Sequence, residues 1–376
     1  MYSQPIKKLD VDATRAPEPA VALLDNEGLS EPGMAEKQID ELTEHPKRPF
    51  AELLPSVRPY VQIARIDHWF KNVFMLLGVV LAFFYEPARF AWSSVPTLAL
   101  AVLATCLVAS SNYVINELLD APYDRMHPVK KHRPVPSGLI HPTLAMIEWF
   151  LLGAGGMLIA FFIHPYFAAT ALVFLASGIA YNVPPIRTKE LPYLDVLSES
   201  FNNPLRLFLG WFALVPDQLP PLSLTLAYWM VGAFFMATKR FAEYRRIGDK
   251  HRAAQYRKSF HYYNEDRLLI SMFFYATSFA LLSGIFLVRY HVELILFVPV
   301  AAGFLAYYLK LGLQVDSPVQ NPEKLMREPK FLTYLTLSAV LFVLLIFTHV
   351  PVLYALFNVQ PLSINPLWTL GKWTGP

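Results

Sequence analysis

The chain has a single cysteine, Cys106, and charged side chains make up only 16% of its 376 residues. One cysteine cannot form an internal disulfide, and because it lies in an apolar run we expect a small buried side chain there. So little charge beside 55% hydrophobic residues excludes a soluble domain of this length. The composition predicts a polytopic membrane protein, and no nucleic-acid partner is expected.

The start of the chain lacks a signal peptide, which has a basic start followed by an apolar core. Residues 1–57 are instead rich in proline and acidic residues. Because such a segment cannot bury enough apolar surface to fold, we expect a mostly disordered cytoplasmic tail. Residues 58–357 form the predicted transmembrane domain, and residues 358–376 form a short C-terminal tail.

Long apolar runs dominate the predicted transmembrane domain, and a helix needs about 20 such residues to cross a bilayer. The runs that meet this length are approximately 66–86, 93–118, 141–163, 165–182, 194–215, 222–243, 267–288, 292–311 and 331–357. The sequence therefore predicts an all-α protein with about nine transmembrane helices.

The loops that join these runs differ in charge. Nearly all loop lysines and arginines fall near residues 119–140, 183–193, 240–266 and 312–330, whereas the opposite loops hold little beyond Arg89 and Arg289. Loops rich in lysine and arginine face the cytoplasm in multi-pass proteins. The four basic loops are therefore predicted to be cytoplasmic, and we expect the membrane to be a bacterial plasma membrane.

Asn116, Asp120 and Asp124 follow an i, i+4, i+8 pattern at the end of the second run, which places them along one helix face. Pro122 is expected to end the regular helix near Asp120, so that Asp124 lies in the following loop. Carboxylate and amide oxygens suit Mg²⁺, which completes its shell with waters and substrate phosphate. The cluster predicts a Mg²⁺ site, and the alternative is a helix end with solvated carboxylates.

Asp195, Glu199, Asn202 and Arg206 are spaced four, three and four residues apart in the fifth run, so they share one helix stripe. A polar stripe in a membrane helix turns away from the lipid. We therefore expect Asp195 and Arg206 to act in catalysis, and Glu199 and Asn202 to bind substrate. A structural ion pair between Glu199 and Arg206 is the alternative.

Further polar side chains near the helix ends are candidates for contacts with a phosphorylated substrate. Anchoring to lipid headgroups explains cations at helix ends equally well, so both interpretations stay open for this group. The candidates are Arg65, Lys71, Asn72, Lys130, Arg133, Tyr181, Lys189, Lys239, Arg240 and Glu243.

The stretch from Asn116 to Gly138 resembles the first aspartate-rich motif of the UbiA superfamily of intramembrane prenyltransferases, and Asp195 to Arg206 resembles the second. The resemblance covers nearly all of residues 58–357. It implies nine membrane helices around a central cavity that opens to the cytoplasm and to the lipid. Glu117 and Glu199 stand where the superfamily usually has aspartate, and either carboxylate can bind Mg²⁺.

Three shorter stretches, Arg65–Asn72, Asp124–Pro134 and Lys239–Glu243, are similar to the decaprenyl-phosphate phosphoribosyltransferase branch. That branch moves phosphoribose from phosphoribosyl diphosphate to a polyprenyl phosphate, and we favour this reaction. Tyr181–Lys189 and Asn202–Pro204 are closer to the general prenyltransferase form, which moves a polyprenyl group from its diphosphate to an aromatic or other acceptor. That reaction is the alternative.

Both reactions use the same chemistry. Mg²⁺ held by Asn116, Asp120, Asp124 and Asp195 would neutralise the diphosphate leaving group. Basic side chains, with Arg206 among them, would stabilise the charge that develops as the carbon–oxygen bond breaks. A lipid phosphate acceptor is already ionised at neutral pH, so the phosphoribosyl reaction needs no strong base.

Two hypotheses from other classes complete the analysis. A transporter or flippase also carries ionisable residues in its membrane helices, but it predicts inverted repeats and polar residues throughout the membrane depth. Neither is evident, because the polar groups cluster at the predicted cytoplasmic helix ends. A membrane scaffold without activity is the third possibility, and the oligomeric state does not follow from the sequence.

Overall fold

The computed structural model describes residues 57–89, 91–125, 130–320, 325 and 327–359. The predicted tails, residues 1–57 and 358–376, lie almost wholly outside these ranges, as do His127 and Pro128 in the first basic loop. All described residues belong to one unit, residues 49–376.

Helices joined by turns and short loops form the described part of the chain, and no strand occurs in it, which confirms the all-α prediction. Two 3₁₀ segments, Ile66–Met75 and Val292–Phe297, extend α2 and α11 at their starts. The helices are α1 (Arg58–Ile63), α2 (Leu76–Tyr85), α3 (Val95–Asp124), α4 (Pro142–Ile163), α5 (Pro165–Asn182), α6 (Leu194–Ser200), α7 (Asn202–Phe212), α8 (Leu222–Ile247), α9 (Lys250–Tyr256), α10 (Glu265–Tyr290), α11 (Val298–Gly312), α12 (Pro329–Ile346) and α13 (Pro351–Leu356).

Seven helical stretches within the described ranges are long and apolar enough to cross a membrane, so the chain is an integral membrane protein. They are Arg58–Tyr85, Trp92–Asp124, Pro142–Ile163, Leu222–Ile247, Glu265–Tyr290, Val292–Gly312 and Pro329–Ile346. The other two predicted spans, 165–182 and 194–215, correspond to α5 and to the short helices α6 and α7, which do not meet these criteria. The count of nine therefore stays a prediction.

The end of α3 differs from the expectation. The helix continues through Pro122 to Asp124, so the prediction that it ends near Asp120 is wrong. Pro122 removes one backbone donor, but tertiary contacts hold the last turn. Ala121 packs in an apolar cluster with Val135, and the buried Asp124 is paired with cations from the following loop.

Close contact between α2 and α7 positions the polar residues of the first span. A Cβ atom at Gly78 would overlap the Leu207 carbonyl oxygen, and one at Gly210 would overlap the Met75 carbonyl oxygen. Glycine at both positions lets the two backbones touch, as small residues do in membrane helix pairs. The contact holds Asn72, which lies in the 3₁₀ segment before α2, against α7.

Candidate active site

Asp120, near the end of α3, lies at the centre of one polar network. Its Oδ1 accepts hydrogen bonds from Lys189 Nζ at 2.5 Å and from Arg187 Nη2 at 3.0 Å. Lys189 Nζ also donates to Asn182 Oδ1 at 2.9 Å, and the same oxygen accepts from Asn116 Nδ2 at 2.5 Å. The network joins α3 to the loop after α5, and the Asp120 side chain keeps 22% of its surface exposed.

The loop after α5 has a strained backbone. Arg187 and Tyr193 have φ angles of 29° and 64°, in a region that residues other than glycine rarely adopt. An ion pair of 2.6 Å between Arg187 Nε and Glu190 Oε1 supports this conformation. Burial lowers the pKa of Lys189, although the neighbouring Asp120 carboxylate acts in the opposite direction. The strain is concentrated where the loop presents two cations to Asp120.

Asp124, one helical turn further along α3, is the centre of a second network. Its Oδ2 accepts a hydrogen bond of 2.7 Å from Arg133 Nη1, and its Oδ1 lies 3.6 Å from Lys130 Nζ. Burial lowers the pKa of Lys130, and the Asp124 charge opposes that effect. The buried Glu117 accepts a hydrogen bond from the Val135 backbone at 3.3 Å. Both carboxylates therefore tie the first basic loop to α3.

Arg240, on α8, is 1% exposed and pairs with three carboxylates. Its Nε lies 3.1 Å from Asp195 Oδ2, its Nη2 lies 2.7 Å from Glu199 Oε2, and its Nη1 lies 3.2 Å from Glu243 Oε2. The planar guanidinium carries five donors, which suits several carboxylates at once. Arg240 is therefore an interior side chain and does not anchor to lipid headgroups. Tyr181 also reaches this cluster, since its hydroxyl donates to Glu199 at 3.0 Å.

Asp195 is fully buried, and a loop covers it. Besides Arg240, its oxygens accept hydrogen bonds from the Tyr263 hydroxyl at 2.7 Å and the Ser259 hydroxyl at 3.2 Å. Both hydroxyls belong to residues 248–264, which we call the cap loop. Lys258 attaches the same loop to Glu190 through a hydrogen bond of 2.8 Å.

Arg206 does not pair with Glu199, so the alternative of a structural ion pair between them is wrong. Its Nε donates to Asn72 Oδ1 at 2.9 Å, and its guanidinium lies 5.0 Å from the centre of the Phe174 ring. Asn72 in turn donates to Cys106 Sγ at 3.1 Å. Cys106 is buried and free, as expected.

The remaining predicted residues line the same region. Lys71 Nζ lies 3.2 Å from His68 Nδ1, and its charge interacts with those of Lys239 and Glu199. Asn202 Oδ1 accepts a hydrogen bond of 3.2 Å from Ser177. Arg65 adopts a φ angle of 51° at the start of the 3₁₀ segment and interacts electrostatically with Glu117 and Arg133. Three contacting residues, Asn182, Arg187 and Tyr263, were not among the predicted site residues, although Arg187 belongs to a loop whose cations are expected beside the acidic residues.

The predicted metal ligands divide into two groups. Asn116 and the partly exposed Asp120 are joined through Asn182 and Lys189, whereas Asp124 and Asp195 are buried and held by cations. Within the described ranges, no three His, Cys, Asp or Glu side chains are arranged to hold a metal ion. Mg²⁺ commonly takes only one or two carboxylates and completes its shell with waters and phosphate oxygens. The oxygens of Asp120 and Asn116 fit that requirement.

Comparison with known proteins identifies a family and several relatives that this chain resembles. Residues 72–334 match the profile of the UbiA prenyltransferase family. The decaprenyl-phosphate phosphoribosyltransferase of Mycolicibacterium smegmatis is 27% identical over 242 residues, which cover 64% of this chain and 71% of that protein. The protein of the same name from Mycobacterium tuberculosis is 28% identical over 206 residues, covering 54% and 64% respectively.

The fold also matches a solved structure. A UbiA homologue from Archaeoglobus fulgidus, bound to DMAPP and Mg²⁺, superposes with a TM-score of 0.56 at 22% sequence identity. The match covers 77% of this chain and 97% of that chain. At this level of identity the likeness establishes the shared fold.

Proposed function

The chain belongs to the UbiA prenyltransferase family and is a membrane-bound transferase, and we propose that it moves phosphoribose from phosphoribosyl diphosphate to a polyprenyl phosphate. The relatives named decaprenyl-phosphate phosphoribosyltransferase support this reaction over others in the family. Because the family consists of transferases, its match to this chain argues against the transporter and scaffold hypotheses. We place the site on the cytoplasmic side of a bacterial plasma membrane, because the basic loops that form it follow the positive-inside rule.

One observation carries the proposal: two groups of cations follow each other along the end of α3. Lys189 and Arg187 contact Asp120, and Lys130 and Arg133 contact Asp124. The two carboxylates are four residues apart, or about 6 Å along the helix axis. Phosphoribosyl diphosphate is charged at both ends, with a diphosphate on C1 and a phosphate on C5. A prenyl diphosphate has one charged end and an apolar tail, so it carries no second anionic group for the second group of cations to bind.

The first of these cation groups, Lys189 and Arg187, suits the diphosphate leaving group. As the bond between C1 and the diphosphate oxygen breaks, negative charge grows on the departing diphosphate. Lys189 and Arg187 are held in place before the reaction by Asp120 and Glu190, so they stabilise that charge without reorganisation. Mg²⁺, held by Asp120 and Asn116, would supply further charge neutralisation.

The acceptor attacks from the membrane side. An oxygen of the lipid phosphate forms the new bond to C1 while the diphosphate departs, so no proton has to be removed. A reaction without a general base agrees with this site, because Asp195, Glu199 and Glu243 are all paired with Arg240. Asp195 and Glu243 hold Arg240 in place, and Asp195 also positions the cap loop.

The test is a transfer assay on the purified full chain in detergent. The protein is incubated with Mg²⁺, labelled phosphoribosyl diphosphate and a polyprenyl phosphate, and labelled lipid is extracted. We expect labelled lipid to form, and Asp120→Asn to slow its formation by about a hundredfold or more, as loss of a principal charge-stabilising group does. Arg245→Gln, an exposed change remote from the two cation groups, serves as the control. Consumption of a prenyl diphosphate instead, with the phosphoribosyl donor untouched, would refute the proposal.

A further inference from the structure

Arg206 is a buried cation, and its contacts within the described part of the chain are all uncharged. It is 8% exposed. Its Nε and Nη1 donate to the Asn72 side chain and the Asn202 carbonyl oxygen, and its guanidinium carbon lies 5.0 Å from the centre of the Phe174 ring. Among the residues that the structure describes, no carboxylate pairs with it and Nη2 has no hydrogen-bond partner. Glu199, seven residues earlier, is already bound by Arg240.

This cation is positioned by a built arrangement. Asn72 accepts from Arg206 and donates to Cys106, so residues from three helical segments hold the guanidinium plane. The glycine contacts between α2 and α7 keep the Asn72 segment against Arg206. A buried, uncompensated charge is costly, and intramembrane cations are typical of sites that pair with an anion. The arrangement therefore indicates a ligand of negative charge.

A second cation faces the same space. Lys71, one residue before Asn72, hydrogen-bonds to His68, and its charge interacts with those of Arg206 and Lys239. Among the charged groups that act most strongly on Lys71, three are cations, Lys239, Arg65 and Arg206, and one is a carboxylate, Glu199. Positive charge is thus in excess around Arg206, in contrast to Arg240, which has three carboxylates.

The position of Arg206 favours a lipid ligand. Along α6 and α7 it lies seven residues beyond Glu199, or about 10 Å further into the helical bundle. Its neighbour Phe174 lies eight residues before the end of α5, at a depth of about 12 Å. A phosphate at Arg206 would therefore lie inside the apolar layer, deeper than the helix ends that hold Asp120 and Asp124.

We propose that Arg206, oriented by Asn72 and assisted by Lys71, binds the phosphate group of the polyprenyl acceptor without metal. This acceptor site is separate from the donor site at Asp120 and Asp124. The inference rests on the proposed function, because it divides two phosphorylated substrates between two groups of cations. It assigns the cations that form no salt bridge with a described carboxylate, Arg206 and Lys71, to the lipid, and the cations paired with Asp120 and Asp124 to the donor with its metal.

Binding of a fluorescent polyprenyl monophosphate to the purified full chain in EDTA tests the assignment. We expect binding to persist without metal, to weaken roughly ten- to hundredfold in Arg206→Gln, and to recover in part in Arg206→Lys. Arg245→Gln and Asp120→Asn should bind within about threefold of the native chain, since neither touches this group. Should Arg206→Gln aggregate, Lys71→Gln is expected to weaken binding at least about fivefold.

Competition identifies the source of the phosphate group. Unlabelled polyprenyl phosphate should displace the probe, whereas inorganic phosphate and phosphatidic acid at the same concentration should not. Equal displacement by either, a requirement for Mg²⁺, or a larger loss in Asp120→Asn than in Arg206→Gln would overturn the inference. Metal-independent binding that depends on Arg206, in a protein that shows no phosphoribosyl transfer, would refute the proposed reaction and leave the lipid-phosphate site standing.

Discussion

Tyr263→Phe removes one oxygen atom from the point where the cap loop meets Asp195. That oxygen donates to Asp195 Oδ1 at 2.7 Å and accepts from the Tyr193 backbone N–H at 2.5 Å. Tyr263 and Asp195 are both fully buried, so no water can replace the hydroxyl. Phenylalanine keeps the ring contacts with Phe260 and Tyr193, and the change isolates the two hydrogen bonds.

The expected magnitude follows from these two bonds. A hydrogen bond to a charged group contributes about 1.5–3 kcal/mol, and a bond between neutral groups about 0.5–1.5 kcal/mol. The closed cap loop should therefore lose about 2–4.5 kcal/mol relative to its open state. Opening of the loop should become about 30- to 1,600-fold more frequent, since each 1.4 kcal/mol is a factor of ten.

Hydrogen–deuterium exchange of the full chain in detergent measures this opening. The amides of Phe260, Tyr262 and Tyr263 donate hydrogen bonds within the loop, so their exchange should accelerate by that factor. Tyr262→Phe is a matched control, because the neighbouring tyrosine is 44% exposed, and its exchange should change by no more than about threefold. Exchange in Tyr263→Phe as slow as in the control would show that Asp195 does not hold the loop.

Two further predictions concern the ends and the interior of the helical bundle. Burial alone would raise the pKa of Glu190, but the hydrogen bond from Lys258 and the Arg187 charge bring it below its usual value. Its stabilising effect is therefore present above its unfolded pKa and is lost as pH falls through the lower folded pKa. Lys258→Gln should remove part of this effect, so the melting temperature should fall less steeply as the pH drops below about 5. The change corresponds to under about 1 kcal/mol of stability, because the pair is so exposed, and an unchanged slope would contradict this. Gly210→Ala should lower the melting temperature and weaken acceptor binding, because the added carbon meets the backbone before α2. Gly284→Ala, which meets open space, should do neither, and equal effects of the two changes would reject the contact as the cause.

The two buried arginines show how the protein divides its charges. Arg240 has three carboxylate partners and serves to position the loop end of the site. Among the described residues Arg206 has only neutral partners, and this is the observation on which we propose an anionic ligand for it. If the proposed reaction is right, this difference lets two phosphorylated substrates bind close together, because a different group of cations offsets the charge of each.

The amino-acid sequence by itself determined the all-α membrane fold and which residue types meet at the helix ends. The length of an apolar run shows whether a segment can cross a bilayer, and helical spacing shows which side chains share a face. These are local properties, so they could be predicted from the chain in order. The acidic residues Asp120 and Asp195 were found by that spacing alone.

Only the tertiary structure decided how those residues are paired. Spacing along one helix suggested Glu199 with Arg206, but packing of α8 against α6 brings Arg240 to Glu199 instead. Proline chemistry suggested that α3 ends near Asp120, but contacts from the following loop stabilise its last turn. The buried position of Asp195 depends on Tyr263, 68 residues away. Pairing across helices depends on contacts that no single helix contains, which is why the sequence predicted the members of the site better than their partners.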